Sequence, residues 1–170
     1  AGHVGTKKSR EMLFWTREEY EKFSEAIMDK PLAYYAFEML YWCGLREGEL
    51  LALTPSDFDF EKGTVSVSKT YTRLNRKDVI TTPKTEKSNR TVQMPQNICD
   101  KMRDYIQSLY KPEPDERIFP FTKYFLTSEM QRGSKAAGVK RIRIHDLRHS
   151  HISLLIDMGF PLTAIAARVG

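Results

Sequence analysis

The chain has 170 residues, 41% of them hydrophobic, which is enough to bury a core in one domain and excludes disorder by composition. Lys and Arg number 27 against 22 Asp and Glu, and the resulting net charge of +5 favours an anionic partner. Cys43 and Cys99 stand far apart and outside any CxxC pair, so neither a disulfide framework nor a thiolate metal site is indicated, and a reducing cytoplasm is expected.

In chain order, residues 1–12 are small, polar and basic and are expected to form a linker or domain edge, with one folded domain over 13–170. Thr16 followed by Glu19 is a capping-box signature that opens a helix over roughly 16–29, and a second helix is expected over 31–43. That second segment, PLAYYAFEMLYWCG, is the most apolar of the chain. It contains Glu38 and is too short to span a bilayer, so it is read as a buried helix, and no signal-peptide pattern opens the chain.

LREGELLAL follows with Arg46, Glu49, Leu50 and Leu53 on a helical period that Pro55 ends. Period-two segments over 63–72, 78–82 and 90–95 predict a small three-stranded antiparallel sheet. Helices are then expected over 96–110, 122–137 and 145–158, with Gly138 and Gly159 as stop signals, and a last one from Pro161. The fold class is therefore α+β and mostly helical: a helical bundle with a small sheet.

The charge is concentrated. Between Lys69 and Arg90 there are seven basic residues and two acidic ones, so this segment alone carries +5. A second cluster, Arg132, Lys135, Lys140, Arg141 and Arg143, leads into IRIHDLRHSHIS. Such clusters occur on solvated surfaces, but two together point to nucleic acid, with Lys69, Arg73, Lys87, Arg90, Arg141 and Arg143 as candidate DNA contacts.

His145 and His149 at i and i+4 have a spacing that suits one metal ion. Arg148 on the same face would set a permanent cation beside that ion, and His151 falls on an apolar stripe with Leu147, Leu154 and Met158, so no metal is expected. A phosphate reading accounts for the arginine. His145 and Arg148 are neighbours near a helix N-terminus, and Arg46 with Glu49 repeats the i, i+3 arrangement upstream. Two arginines from different helices could clamp the non-bridging oxygens of one phosphate. No GxxxxGK[ST] loop is present, so no nucleotide cofactor is expected.

Three ordered blocks, GLREGELLAL (44–53), TPKTEKSNRTVQMP (82–95) and IHDLRHSHISLLIDMGFPLTAIAARVG (144–170), resemble the catalytic domain of tyrosine recombinases, in particular the phage and conjugative-transposon integrases. The resemblance implies a strand-exchange enzyme whose tyrosine hydroxyl attacks a DNA phosphodiester to give a 3′-phosphotyrosyl link. It implies Arg46 and Arg148 as the catalytic arginines, Glu49 as their supporting carboxylate, Lys84 as the hairpin lysine and His145 as the acid–base partner of the tyrosine. Lys87, in the same turn as Lys84, competes for the lysine role, and His149 is expected to bond nearby backbone. The implied partners are double-stranded attachment-site DNA and an accessory directionality factor, with a tetramer on DNA for the full-length protein, a monomer for these 170 residues, and no membrane.

All eight tyrosines precede Arg148, whereas in the family the nucleophile follows it. The chain is accordingly expected to lack its C-terminal tyrosine segment, to bind DNA weakly, and to form no covalent adduct alone. Two other readings fit parts of the sequence: a type IB topoisomerase-like strand transferase, and a non-catalytic helix-turn-helix module built on HISLLIDMGFPLTAIAARVG.

Overall fold

A computed structural model describes residues 13–82 and 89–170. The expected linker over 1–12, and Lys84 and Lys87, lie outside the described residues.

Helix α1 (Arg17–Ala26) begins as its capping box predicts: Thr16 Oγ1 accepts from the Glu19 amide at 3.2 Å, and Glu19 Oε1 accepts from the Thr16 amide at 3.1 Å. Helix α2 (Pro31–Cys43) buries eight of its thirteen residues, as its apolar composition demands, and Gly44 ends it in the left-handed conformation at φ 67°. A short α3 (Glu47–Leu51) and a 3₁₀ turn at Pro55–Asp57 lead to the strands β1 (Phe58–Asp59), β2 (Thr64–Val67), β3 (Thr70–Leu74), β4 (Lys77–Thr81) and β5 (Arg90–Gln93). The chain then returns to helix in α4 (Gln96–Ser108), α5 (Lys123–Ala137), α6 (Ile144–Asp157) and α7 (Leu162–Val169).

This is the α+β, mostly helical class read from the sequence, with one revision in the sheet. The three-stranded antiparallel sheet is present but its order is β1-β2-β5, and β3 and β4 form a separate two-stranded hairpin. The expected single strand over 63–72 divides at Ser68–Lys69. There the Lys69 ammonium is held by Asp57 at 3.0 Å and Thr54 Oγ1 at 3.1 Å, and the chain turns out of one sheet into the other. No Gly or Pro marks that bend, and alternation continues through it to the buried Tyr71, so period-two patterning could not find it.

The core is continuous from Trp15 through α2, the sheet and α4 to Leu147. Gly133 on α5 lets α1 approach closely: a Cβ there would lie 2.5 Å from Phe23 and Ile27 side-chain carbons. Two bonds from Ser150 Oγ, accepting from the Trp15 amide and donating to the Asp146 carbonyl, both at 2.8 Å, tie the start of the domain to α6. Among the described residues no helix is long and apolar enough to cross a membrane.

Candidate active site

The site is assembled from the ends of helices. Arg46 is the N-cap residue of α3, and Glu49, three residues on, reaches back so that its Oε1 accepts the Arg46 amide at 2.8 Å. Arg143 and Asp146 repeat the device at the start of α6, where Asp146 Oδ2 accepts the Arg143 amide at 2.9 Å and the carboxylate also takes the Arg143 guanidinium. These clamps fix how the two helices begin, and therefore where Arg46, His145 and Arg148 are presented.

Arg46 and Arg148 meet. Arg46 Nη2 donates to the Gly170 carbonyl oxygen at 2.9 Å, and Arg148 Nη2 donates to the same oxygen at 3.2 Å. Arg148 Nη1 also donates to the Val169 carbonyl, and to that of Gly44 at 3.2 Å. Two guanidinium groups from different helices thus converge on a single oxygen. Arg148 is 8% exposed, and burial followed by the charges of Arg46 and Arg90 pulls it down to about 10, so it stays protonated at neutral pH.

Arg90, read from the sequence as a DNA-backbone contact, is placed differently. Its side chain is 5% exposed and forks onto Glu49, with Nη1 to Oε2 at 2.8 Å and Nη2 to Oε1 at 3.0 Å, while Nε donates to the Arg168 carbonyl at 2.8 Å. An arginine so engaged inside the fold is not presented to a surface ligand. Strand alternation carried the signal: Arg90 shares a face with buried Val92 and Met94, opposite exposed Thr91 and Gln93.

His145 is exposed, one turn before Arg148, and lines a cavity of about 740 Å³ with Arg141, Arg143, Glu47 and Met130. Burial, then His149 and Arg148, hold its imidazole below the usual histidine value, which favours the neutral, proton-accepting ring. In the same cavity burial pushes the Glu47 carboxyl up, and its buried Oε1 has no hydrogen-bond partner among the described residues.

His149 packs its ring edge against His145 with centroids 4.8 Å apart. His151 packs inward at 1% exposure, as its apolar register predicts, and accepts from Arg168 Nε at 3.1 Å. Arg168, which the sequence reading passed over, also donates to the Gln93 and Trp42 carbonyls at 2.7 and 2.9 Å and so ties α7 to β5 and α2. Its burial is masked in sequence because α7 is short and its neighbours Ala166 and Ala167 are exposed. Among the described residues no group of three His, Cys, Asp or Glu side chains is disposed to hold a metal ion.

The other proposed DNA contacts are distributed over the surface. Arg73 is exposed on β3 and pairs with Asp78 at 3.2 Å, Lys69 is held by Asp57 and Thr54, and Arg141 and Arg143 are exposed beside the His145 cavity.

The model of the phage integrase family matches residues 14–170. The ICEBs1 integrase of Bacillus subtilis (strain 168) is 31% identical over 175 residues, covering 95% of this chain and 48% of that protein. The integrase of Staphylococcus phage L54a is 29% identical over 155 residues, covering 79% of this chain and 43% of its own length. Among solved structures, the Tn1549 transposon integrase in complex with circular intermediate DNA superposes with a TM-score of 0.82 at 22% identity, over 95% of this chain and 60% of that one. The XerA recombinase superposes with a TM-score of 0.74 at 20% identity, over 93% and 56%. The chain spans about half the length of the relatives it matches.

Proposed function

The chain belongs to the phage integrase family, and on that premise we propose that it supplies the phosphate-activating groups of a site-specific DNA recombinase that integrates or excises a mobile element. The observation that carries this reading is the convergence of Arg46 and Arg148 on one oxygen.

In the proposed reaction a tyrosine hydroxyl attacks the scissile phosphorus, a tyrosyl O–P bond forms, and the bond to the 5′-oxygen breaks. The products are a 3′-phosphotyrosyl ester and a free 5′-hydroxyl. Arg46 and Arg148 stabilise the negative charge that builds on the non-bridging oxygens, and burial of Arg148 strengthens that interaction. His145, held toward its neutral form, takes the tyrosine proton. Lys84, in preference to Lys87, protonates the departing 5′-oxygen, and Glu49 orients Arg46 through its amide. None of the eight tyrosines named by the sequence is assigned the attacking role.

The partner is duplex attachment-site DNA, contacted through Arg73, Arg141 and Arg143, with Lys69 supporting the turn between the sheets. A tetramer on DNA and an accessory directionality factor belong to the same reading, as does the assignment of 13–170 to a catalytic domain. No observation favours the topoisomerase. Nor does any favour the plain helix-turn-helix reading.

Single-turnover cleavage of a nicked suicide duplex, by the recombinase that carries this chain, tests the proposal. Arg148→Ala is expected to slow cleavage about a hundredfold to a thousandfold at saturating DNA, as loss of one oxyanion donor does elsewhere. A wild-type rate would remove the assignment.

A further inference from the structure

We propose that Arg90 is a positioning residue for this reaction, which occupies the Glu49 carboxylate and so leaves the Arg46 guanidinium available to the phosphate. The inference rests on the proposed function and goes beyond it, because Arg90 need touch neither DNA nor the reacting atoms.

Glu49 is the one carboxylate within hydrogen-bond or ion-pair reach of both Arg46 and Arg90 among the described contacts, and it is 3% exposed. Its two oxygens are unequally shared. Arg90 takes both, at 2.8 and 3.0 Å, in the parallel fork that suits a guanidinium. Arg46 receives one oxygen firmly through its backbone amide at 2.8 Å, whereas its side-chain Nη1 stands 3.5 Å from Oε2, at the limit of a hydrogen bond.

The Arg46 side chain, 40% exposed, instead points Nη2 to the oxygen it shares with Arg148. If Arg90 were absent, the buried carboxylate would carry an unpaired charge, and the nearest cation able to cover it is Arg46. Closing that pair would draw Arg46 away from the shared oxygen.

A second contact fits the same role. Arg90 Nε holds the Arg168 carbonyl at the end of α7, and Arg90 Nη1 lies 2.9 Å from where a Cβ on Gly170 would sit, with Arg46 Nη1 at 3.4 Å. Arg90 therefore underlies the backbone on which the two arginines converge. It is also the first residue of β5. The charge on Arg90 is spent inside the fold, which separates it from the exposed Arg73 and Arg141.

The test uses single-turnover cleavage of a nicked suicide duplex by the recombinase that carries this chain, together with DNA affinity as a function of salt. Arg90→Gln is expected to slow cleavage at saturating DNA about tenfold to a hundredfold, with affinity and salt slope unchanged. Adding Glu49→Gln to it removes the competing charge and leaves no unpaired ion buried. The double variant is therefore expected to be faster than Arg90→Gln and within about tenfold of wild type.

Should Arg90→Gln fail to fold, the double variant carries the test by itself, since a neutral pair keeps the amide acceptor for Arg46. A double variant slowed a hundredfold or more, or no faster than Arg90→Gln, overturns the inference. So does a wild-type rate for Arg90→Gln with the salt slope reduced by about one, which is the signature of a backbone-phosphate contact. Arg148→Ala cleaving at the wild-type rate in the same assay would instead remove the proposed function, whatever Arg90 does.

Discussion

The histidines show how differently one short stretch can be read residue by residue. His145 is exposed on the first turn of α6 beside Arg148, whereas His151, two turns on, is 1% exposed and bonded to Arg168. Burial and then the Arg168 charge take the His151 imidazole down to about 3, so the folded protein keeps it neutral where the unfolded chain protonates it. Stability from this residue is complete above the unfolded value near 6.5 and is lost as the pH falls from there toward about 3, on the order of 5 kcal/mol in all. His151→Gln retains an acceptor for Arg168 without a titrating proton. It is expected to flatten the pH dependence of urea stability between about pH 6.5 and 5, where most carboxylates do not yet titrate; an unchanged slope would contradict the burial argument. The inward register of His151 with Leu147 and Leu154 was legible from helical spacing, because spacing reports which face is buried. The partner of a buried polar atom is not written in spacing, so Arg168 cannot be read from it.

At the scale of elements, the start and end of each helix decide where the arginines point. Gly44 closes α2 at φ 67°, and its carbonyl accepts from Arg148. A Cβ on Gly44 would stand 2.5 Å from His151 Cδ2, so the residue is needed both for its backbone conformation and for the approach of α6. Gly44→Ala is expected to cost about 3 kcal/mol and to lower Tm by about 6–12 °C, measured by thermal unfolding. A shift under about 2 °C would mean that α6 is not held as closely as these distances state. The helices were readable because caps, Pro and Gly punctuate them in sequence. The sheet was less so: β1 has only two residues, and the division of 63–72 at Ser68–Lys69 is imposed by the tertiary hold of Asp57 and Thr54 on Lys69. Arg90 lay between these cases, since alternation with Val92 pointed it inward while its charge suggested the surface.

For the molecule as a whole, the net charge of +5 conceals two populations of cation. Arg90 and Arg148 are buried and committed to Glu49 and to backbone carbonyls, whereas Arg73, Arg76, Lys77, Arg141 and Arg143 are exposed on the β3–β4 hairpin and at the start of α6. In the proposed function the exposed set would supply salt-sensitive affinity for DNA, Arg148 would supply local, water-excluded charge stabilisation, and Arg90 would hold Glu49. Ordered motifs made Arg46, His145 and Arg148 legible as a group before any geometry was known. The meeting of Arg46 and Arg148 depends on contacts over long sequence separations, from Gly44 to Arg148 and from Arg90 to Arg168, which periodicity does not encode. The most direct measurement is a structure of the protein bound to duplex DNA in the pre-cleavage state that the proposed function requires. The account requires one phosphate with its non-bridging oxygens about 2.7–3.2 Å from guanidinium nitrogens of both Arg46 and Arg148, and with His145 beside it. A scissile phosphate bound away from these two arginines would contradict it.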